Sequence, residues 1–177
     1  MPFFRQIAVF TLVSMAVITS GNATDQNEGE HAGPVMNYHR IDGRLVTGGH
    51  FIDDDGMAVL KAEGVTVVID LRDKPPPDEQ QKLAQLGIEW INVPIEWDNP
   101  ETADFERFSE VMQAHQGDHV LVQCAANYRA SAMTYLYRVV VEQVDENQAQ
   151  SDLYAVWTPS EENQQWSDYI AGIKAAK

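Results

Sequence analysis

The sequence predicts an α/β domain with a mostly parallel central sheet flanked by helices. Three observations predict it. Short apolar runs alternate with amphipathic stretches along residues 38–177, the pattern of strands and helices taking turns around one sheet. The run at 65–71, centred on Val67, Val68 and Ile69, has the composition of a strand covered on both faces. A second apolar run, 119–123, passes through a short loop into residues of helical composition at 132–141. With 177 residues, 44% of them hydrophobic, the chain can build one well-packed core and is too short for two ordinary domains.

Along the chain, Arg5, an apolar run over 7–18 and the small residues Gly21, Asn22 and Ala23 read as a secretory signal peptide, with cleavage expected after Ala23. The run falls short of the ~20 apolar residues that span a bilayer, so no stable membrane insertion is expected after cleavage, and the mature protein is expected in the periplasm or outside the cell. Residues 24–37 are polar, contain Gly and Pro, and read as a flexible leader. The folded domain is expected over 38–177.

Its first strand is expected at 44–47, stopped by Gly48 and Gly49. A helix follows, with Asp53 or Asp54 near its cap and Met57, Val59 and Leu60 inside. The strand at 65–71 is the best candidate for a central strand. Pro75, Pro76 and Pro77 stop regular structure, and Asp78 opens a helix that ends before Gly87. Residues 88–95 form a third strand, closed by the turn-rich segment 96–100. Phe105, Phe108, Val111, Met112 and His115 recur three or four apart and line one face of a helix starting near Thr102. The remaining stretch, with Leu153, Tyr154, Val156, Trp157, Trp166, Tyr169, Ile170 and Ile173, reads as two terminal helices whose aromatics fill core.

Charge narrows the function. The full chain carries a net charge of −15. Without residues 1–23, which hold Arg5 and no acidic residue, 11 Lys and Arg face 27 Asp and Glu, a net charge of −16. Such a surface repels polyphosphate backbones and anionic lipid, which excludes nucleic-acid binding as a main role. The one cysteine, Cys124, has no partner for an internal disulfide in a chain read as exported. It is an inert core thiol, an intermolecular bridge or a nucleophile, and its neighbours must decide.

Those neighbours are Gln123 before it and Ala125, Ala126, Asn127, Tyr128, Arg129, Ala130 and Ser131 after it. The cysteine stands where a strand ends, and the arginine where a helix begins. Backbone N–H groups turning into a helix N-terminus converge on one point, where the macrodipole adds positive potential. Such a field lowers a thiol pKa from ~8.5 into the range of about 3.5 to 7.5. A guanidinium adds paired donors that match two oxygens of a tetrahedral anion. The 124–129 loop is therefore a candidate anion cradle, with phosphate or a similar small ion as its ligand. Against it stands the plain reading of Cys124 as a small core residue and Arg129 as a surface ion-pair partner. The chemistry calls for no cofactor, and His31, His39, His50, His115 and His119 lack metal-ligand spacing. Gly48 and Gly49 read as a chain turn, since no P-loop lysine accompanies them.

This loop, together with segments 44–49, 65–72 and 88–94, resembles a bacterial phosphatase-like family, found also as a domain of beta-lactamase hydrolase-like proteins and related to dual-specificity and tyrosine phosphatases. The resemblance covers about residues 38–142. It implies a cysteine-phosphatase-like α/β fold and hydrolysis of a phosphate monoester, phosphotyrosine in a phosphoprotein being a candidate. In that reading Cys124 attacks phosphorus to give a phosphocysteine, while the amides of Ala125, Ala126, Asn127, Tyr128 and Arg129, with the Arg129 guanidinium, hold the oxygens. Asp98, in the segment Trp97, Asp98, Asn99, Pro100, resembles the superfamily's acid-bearing loop; its plain alternative is a turn cap ahead of Pro100. Asp70, Asp73 and Glu96 are lesser candidates for the acid.

The chain also departs from the superfamily pattern. Only four residues separate Cys124 from Arg129, so the loop is one residue shorter than usual. Gln123 replaces a histidine, Asn127 replaces a glycine, and the hydroxyl expected directly after the arginine comes one place later, as Ser131. Two other functions fit the residues: a rhodanese-like sulfurtransferase, in which Cys124 would carry a persulfide, and an anion- or phosphoprotein-binding module without turnover.

Overall fold

The computed structural model describes residues 35–176. The expected signal peptide, and the expected leader up to residue 34, lie outside the described residues. The last three residues of that leader belong to the folded unit: Val35 is buried and bridges Phe51, and the Met36 N–H donates to the His50 carbonyl at 3.1 Å. The fold is α/β, with a five-stranded sheet in the order β1-β2-β5-β3-β4. Its strands are β1 (His39–Arg40), β2 (Leu45–Gly48), β3 (Val67–Asp70), β4 (Glu89–Asn92) and β5 (Val120–Gln123). All neighbours are parallel except β1, which runs antiparallel to β2.

The helices are α1 (Asp55–Ala62), α2 (Glu79–Gln85), α3 (Thr102–Ala114), α4 (Tyr128–Val140), α5 (Glu146–Val156) and α6 (Gln164–Ala175). Strand periodicity explains why both sheet faces are apolar. Alternate side chains leave opposite faces, so one Val/Ile run supplies two cores. Val67, Ile69, Val120 and Val122 enter a large core with α3 to α6, while Val68 and Leu121 enter a smaller one with Met57 and Leu60 of α1 and Leu83 of α2. Cys124 keeps the parity of Val120 and Val122 and so faces the larger core.

Residues 65–71 supply β3, a central strand paired with β5 on one side and β4 on the other; the middle position itself belongs to β5, between β2 and β3. Every residue of β2, β3 and β5 is buried, and two-sided burial, which composition reports, does not separate the middle strand from those beside it. One expectation changes, since the terminal aromatics divide: Trp166 and Tyr169 are buried in the core, but Tyr154 is exposed and Trp157 is half-buried over the loop that follows β5.

At the exit of β3 a buried ionic cluster fixes the chain. Arg72 Nε and Nη2 donate to the Asp70 carboxylate at 2.9 and 2.6 Å, and Nη2 also donates to Glu79, the first residue of α2. Asp70 is thereby sealed beneath the sheet edge and does not stand among the groups available to a substrate. Burial, with Arg72 opposing it and the Asp70 charge reinforcing it, holds the Glu79 carboxyl above its ordinary value of 4.5. The folded state thus binds the Glu79 proton more tightly than the unfolded chain does. This contribution to stability is fully present below pH 4.5 and is lost as pH rises through the raised value. Thermal unfolding across that window should show wild type losing stability relative to Glu79→Gln as pH increases. A gap that moves the other way would contradict the assignment.

Candidate active site

Strands β2, β3, β4 and β5 end at one edge of the sheet, the place where parallel α/β folds build their sites. Gln123, the last residue of β5, is fully buried and donates from Nε2 to the Gly49 carbonyl at 3.2 Å, so it ties the strand exit to the segment after β2. The Cys124 N–H then donates to the Gly48 carbonyl at 3.1 Å. Cys124 is 1% exposed and packs in the larger core, where the strand gives way to the turn.

The turn is held from outside by its carbonyls. The Ala125 carbonyl accepts from the His50 N–H at 3.0 Å and from His50 Nδ1 at 2.8 Å, which makes Nδ1 the protonated ring nitrogen. The trans peptide that follows therefore sends the Ala126 N–H away from His50. The Ala126 carbonyl accepts from Asn37 Nδ2 at 3.0 Å. Asn127 is fully buried in the left-handed region, φ 67°, a conformation its short polar side chain tolerates. Its Nδ2 donates to the Asn37 carbonyl at 2.5 Å and to Thr47 Oγ1 at 3.0 Å. With that side chain so engaged, no side chain caps α4, and the N–H groups of its first turn have no carbonyl partner within the helix.

Gly49 is where β2 and the loop approach most closely. A Cβ there would stand 2.9 Å from the carbonyl oxygens of both Ala125 and Met36, and both are backbone atoms. The pair Gly48–Gly49 thus does more than turn the chain; it admits the loop. Gly49→Ala should displace the 124–129 loop, lower thermal stability by ~1–3 kcal/mol and reduce any activity of the loop with it. Unchanged unfolding and unchanged activity would contradict this reading.

Arg129, in the first turn of α4, is 7% exposed. Its Nη1 donates to the Ile95 carbonyl at 2.5 Å and lies 3.6 Å from the Asp73 carboxylate. The guanidinium therefore spans from the cysteine loop to the exits of β3 and β4. Asp98 lies three residues past Ile95, exposed in a bend. The ring of its neighbour Trp97 packs 6.3 Å from Tyr128, and the Trp97 carbonyl accepts from Trp166 Nε1 at 3.0 Å. Cys124, Arg129, Asp98, Asp73 and Glu96 all belong to this edge. Ser131 does not face it as an available hydroxyl: Oγ donates to the Asn127 carbonyl at 2.7 Å and is buried.

The chain matches, over residues 7–169, the family described as DSP-PTPase phosphatase fused to NAD+ kinase. It belongs to this DSP-PTPase family. Among solved structures, a DUF442 phosphatase candidate from Shewanella putrefaciens CN-32 is 30% identical, with a TM-score of 0.69 over 80% of this chain and 93% of that one. P. aeruginosa TpbA is 20% identical over 79% of this chain and 88% of its own, with a TM-score of 0.65, and has been solved in complex with pTyr. PTPMT1 is 18% identical over 78% of this chain and 97% of its own, with a TM-score of 0.60, and has been solved with PI(5)P. No curated protein matches the chain. The DSP-PTPase sheet and its flanking helices are therefore those of the cysteine-phosphatase fold, with the shortened 124–129 loop in the position described.

Sequence reasoning did not find Asn37, His50 or Trp157 as supports of the loop. The adjacent glycines at 48 and 49 were the available signal for a close backbone approach. Nothing comparable marked the other three.

Proposed function

We propose that this DSP-PTPase domain hydrolyses phosphate monoesters through Cys124. The bond-making steps balance without a cofactor. The Cys124 thiolate attacks phosphorus and the ester P–O bond breaks, with the Asp98 carboxylic acid protonating the leaving oxygen. Water then attacks the phosphocysteine, giving one proton to the Asp98 carboxylate; the P–S bond breaks and phosphate departs. The amides entering α4 and the Arg129 guanidinium hold the equatorial oxygens throughout.

The observation that carries this reading is the placement of Arg129. Its buried guanidinium is fixed on the Ile95 carbonyl, so one cation serves both the cysteine loop and the chain segment bearing Asp98. A surface ion-pair partner would be exposed and mobile; this one is neither surface nor a simple pair. Membership of the DSP-PTPase family supports phosphorus over sulfur chemistry. A cleft of about 290 Å³, which meets Arg129 through Asp73, is lined by Asp73, Glu96, Glu101 and Asp104 with Arg107. An ester whose remaining body is neutral or basic, such as a phosphotyrosine peptide, suits these carboxylates better than a polyanion does. With the expected signal peptide, the substrate would be met in the periplasm or outside the cell.

The experiment is release of inorganic phosphate from p-nitrophenyl phosphate and from a phosphotyrosine peptide by the purified protein, near neutral pH. Turnover of both is expected, with the peptide preferred over a phosphoinositide. Binding of phosphate without hydrolysis of any of the three would replace this reading with the anion-binding module. Thiocyanate formed from thiosulfate and cyanide would replace it with a sulfurtransferase.

A further inference from the structure

Trp157 ends α5, far from the cysteine in sequence, yet it makes more contacts with the loop region than a helix cap requires. Its Nε1 donates to the Tyr128 carbonyl and to Ser131 Oγ, both at 3.1 Å. Its ring stacks on Tyr128, with centroids 4.9 Å apart and planes 21° apart. The same ring lies 5.9 Å from Trp97, whose own ring lies 6.3 Å from Tyr128. Three rings thus close a triangle. One belongs to the cysteine loop, one is next to Asp98, and the third is Trp157.

The polar contacts have a direction. Ser131 Oγ donates to the Asn127 carbonyl while accepting from Trp157, so the indole N–H reaches the left-handed residue of the loop through one hydroxyl. The Tyr128 carbonyl is held directly. Tyr128 and Ser131 both belong to the first turn of α4, where the chain leaves the cysteine loop. The apolar contacts lead elsewhere, to Trp97, which Trp166 backs at 5.5 Å and anchors by its carbonyl. Aromatic contacts of this kind add a preference beyond their buried area that can bias a bend without defining the fold.

We infer that Trp157 is a positioning residue that sets the Asp98-bearing bend against the 124–129 loop, by the Trp157–Tyr128–Trp97 ring contact. The inference rests on the phosphatase reading above. It predicts a selective defect, because a displaced acid matters most when the leaving group is poor and hardly at all when it departs unaided.

The test compares phenyl phosphate with p-nitrophenyl phosphate. In Trp157→Leu the ratio of kcat on phenyl phosphate to kcat on p-nitrophenyl phosphate should fall about tenfold below wild type. Trp157→Phe keeps a ring and should retain the ratio, with KM raised for both esters by loss of the indole N–H. Tyr128→Leu, at a residue 36% exposed, removes the stacking partner and should lower the ratio as Trp157→Leu does, so the test survives if Trp157→Leu does not fold. In an Asp98→Asn background, loss of the ring should not lower the ratio further. Equal losses on both esters, or an unchanged ratio in both leucine variants, would overturn the inference. Wild type inactive on both esters would instead overturn the phosphatase reading itself.

Discussion

Replacing Cys124 by serine should lower turnover by ~10⁴- to 10⁶-fold while the protein still binds phosphate or vanadate. The two side chains have nearly the same shape, so the turn that Gly48, His50 and Asn37 hold by its backbone should be kept. What changes is the attacking atom. A thiol gives up its proton more readily than an aliphatic hydroxyl and sulfur is the stronger nucleophile, so serine is a much poorer attacking group. In the proposed mechanism binding depends on the amides entering α4 and on Arg129, none of which the substitution touches. Quenching of tryptophan emission by added oxyanion gives the affinity, and phosphate release gives the rate. Retained turnover would exclude Cys124 as nucleophile; loss of both turnover and binding would make it a core residue whose removal spoils the loop.

The second large effect is expected at Asp98. Asp98→Asn should slow the first chemical step by ~10²- to 10⁴-fold for phenyl phosphate, since asparagine cannot deliver a proton. The loss should be much smaller for p-nitrophenyl phosphate, whose phenolate leaves without help. An exposed aspartate that merely caps a turn would, on substitution, affect both esters alike. Asp73 is the control: it faces Arg129 at 3.6 Å, and Asp73→Asn should alter anion affinity without changing the dependence on leaving group. If Asp73→Asn reproduces the leaving-group effect and Asp98→Asn does not, the acid has been assigned to the wrong strand exit.

The loop itself was legible because three local signals coincide within a dozen residues. An apolar strand ends, a cysteine follows, and an arginine opens an amphipathic helix; each signal reports neighbours along the chain. The fold class was legible for the same reason, from alternating runs. The strand order was not. β2, β3 and β5 are equally buried, so composition is silent about which lies in the middle. The two-residue strand β1, His39–Arg40, is too short and too polar to leave a period at all. The supports of the loop were hidden by distance: Asn37 is separated from its partner Ala126 by 89 residues, His50 from Ala125 by 75, and Trp157 from Tyr128 by 29. Each acts on a backbone carbonyl, which every residue has, so no side-chain pattern in the loop announces them. Asp70 was visible as a carboxylate near the sheet edge, but its pairing with Arg72 and Glu79 beneath that edge belongs to the packing, not to the string.

The central claim concerns one sulfur atom forming one bond to phosphorus. Rapid acid quenching of the protein during turnover of p-nitrophenyl phosphate, followed by peptide mass spectrometry, reads that bond directly. The account predicts a phosphoryl adduct on the peptide containing Cys124 in wild type, increased in Asp98→Asn because breakdown of the intermediate also uses Asp98, and absent in Cys124→Ser. Phosphate release with Cys124 unmodified at every quench time, or a persulfide in place of the phosphoryl group, would contradict it.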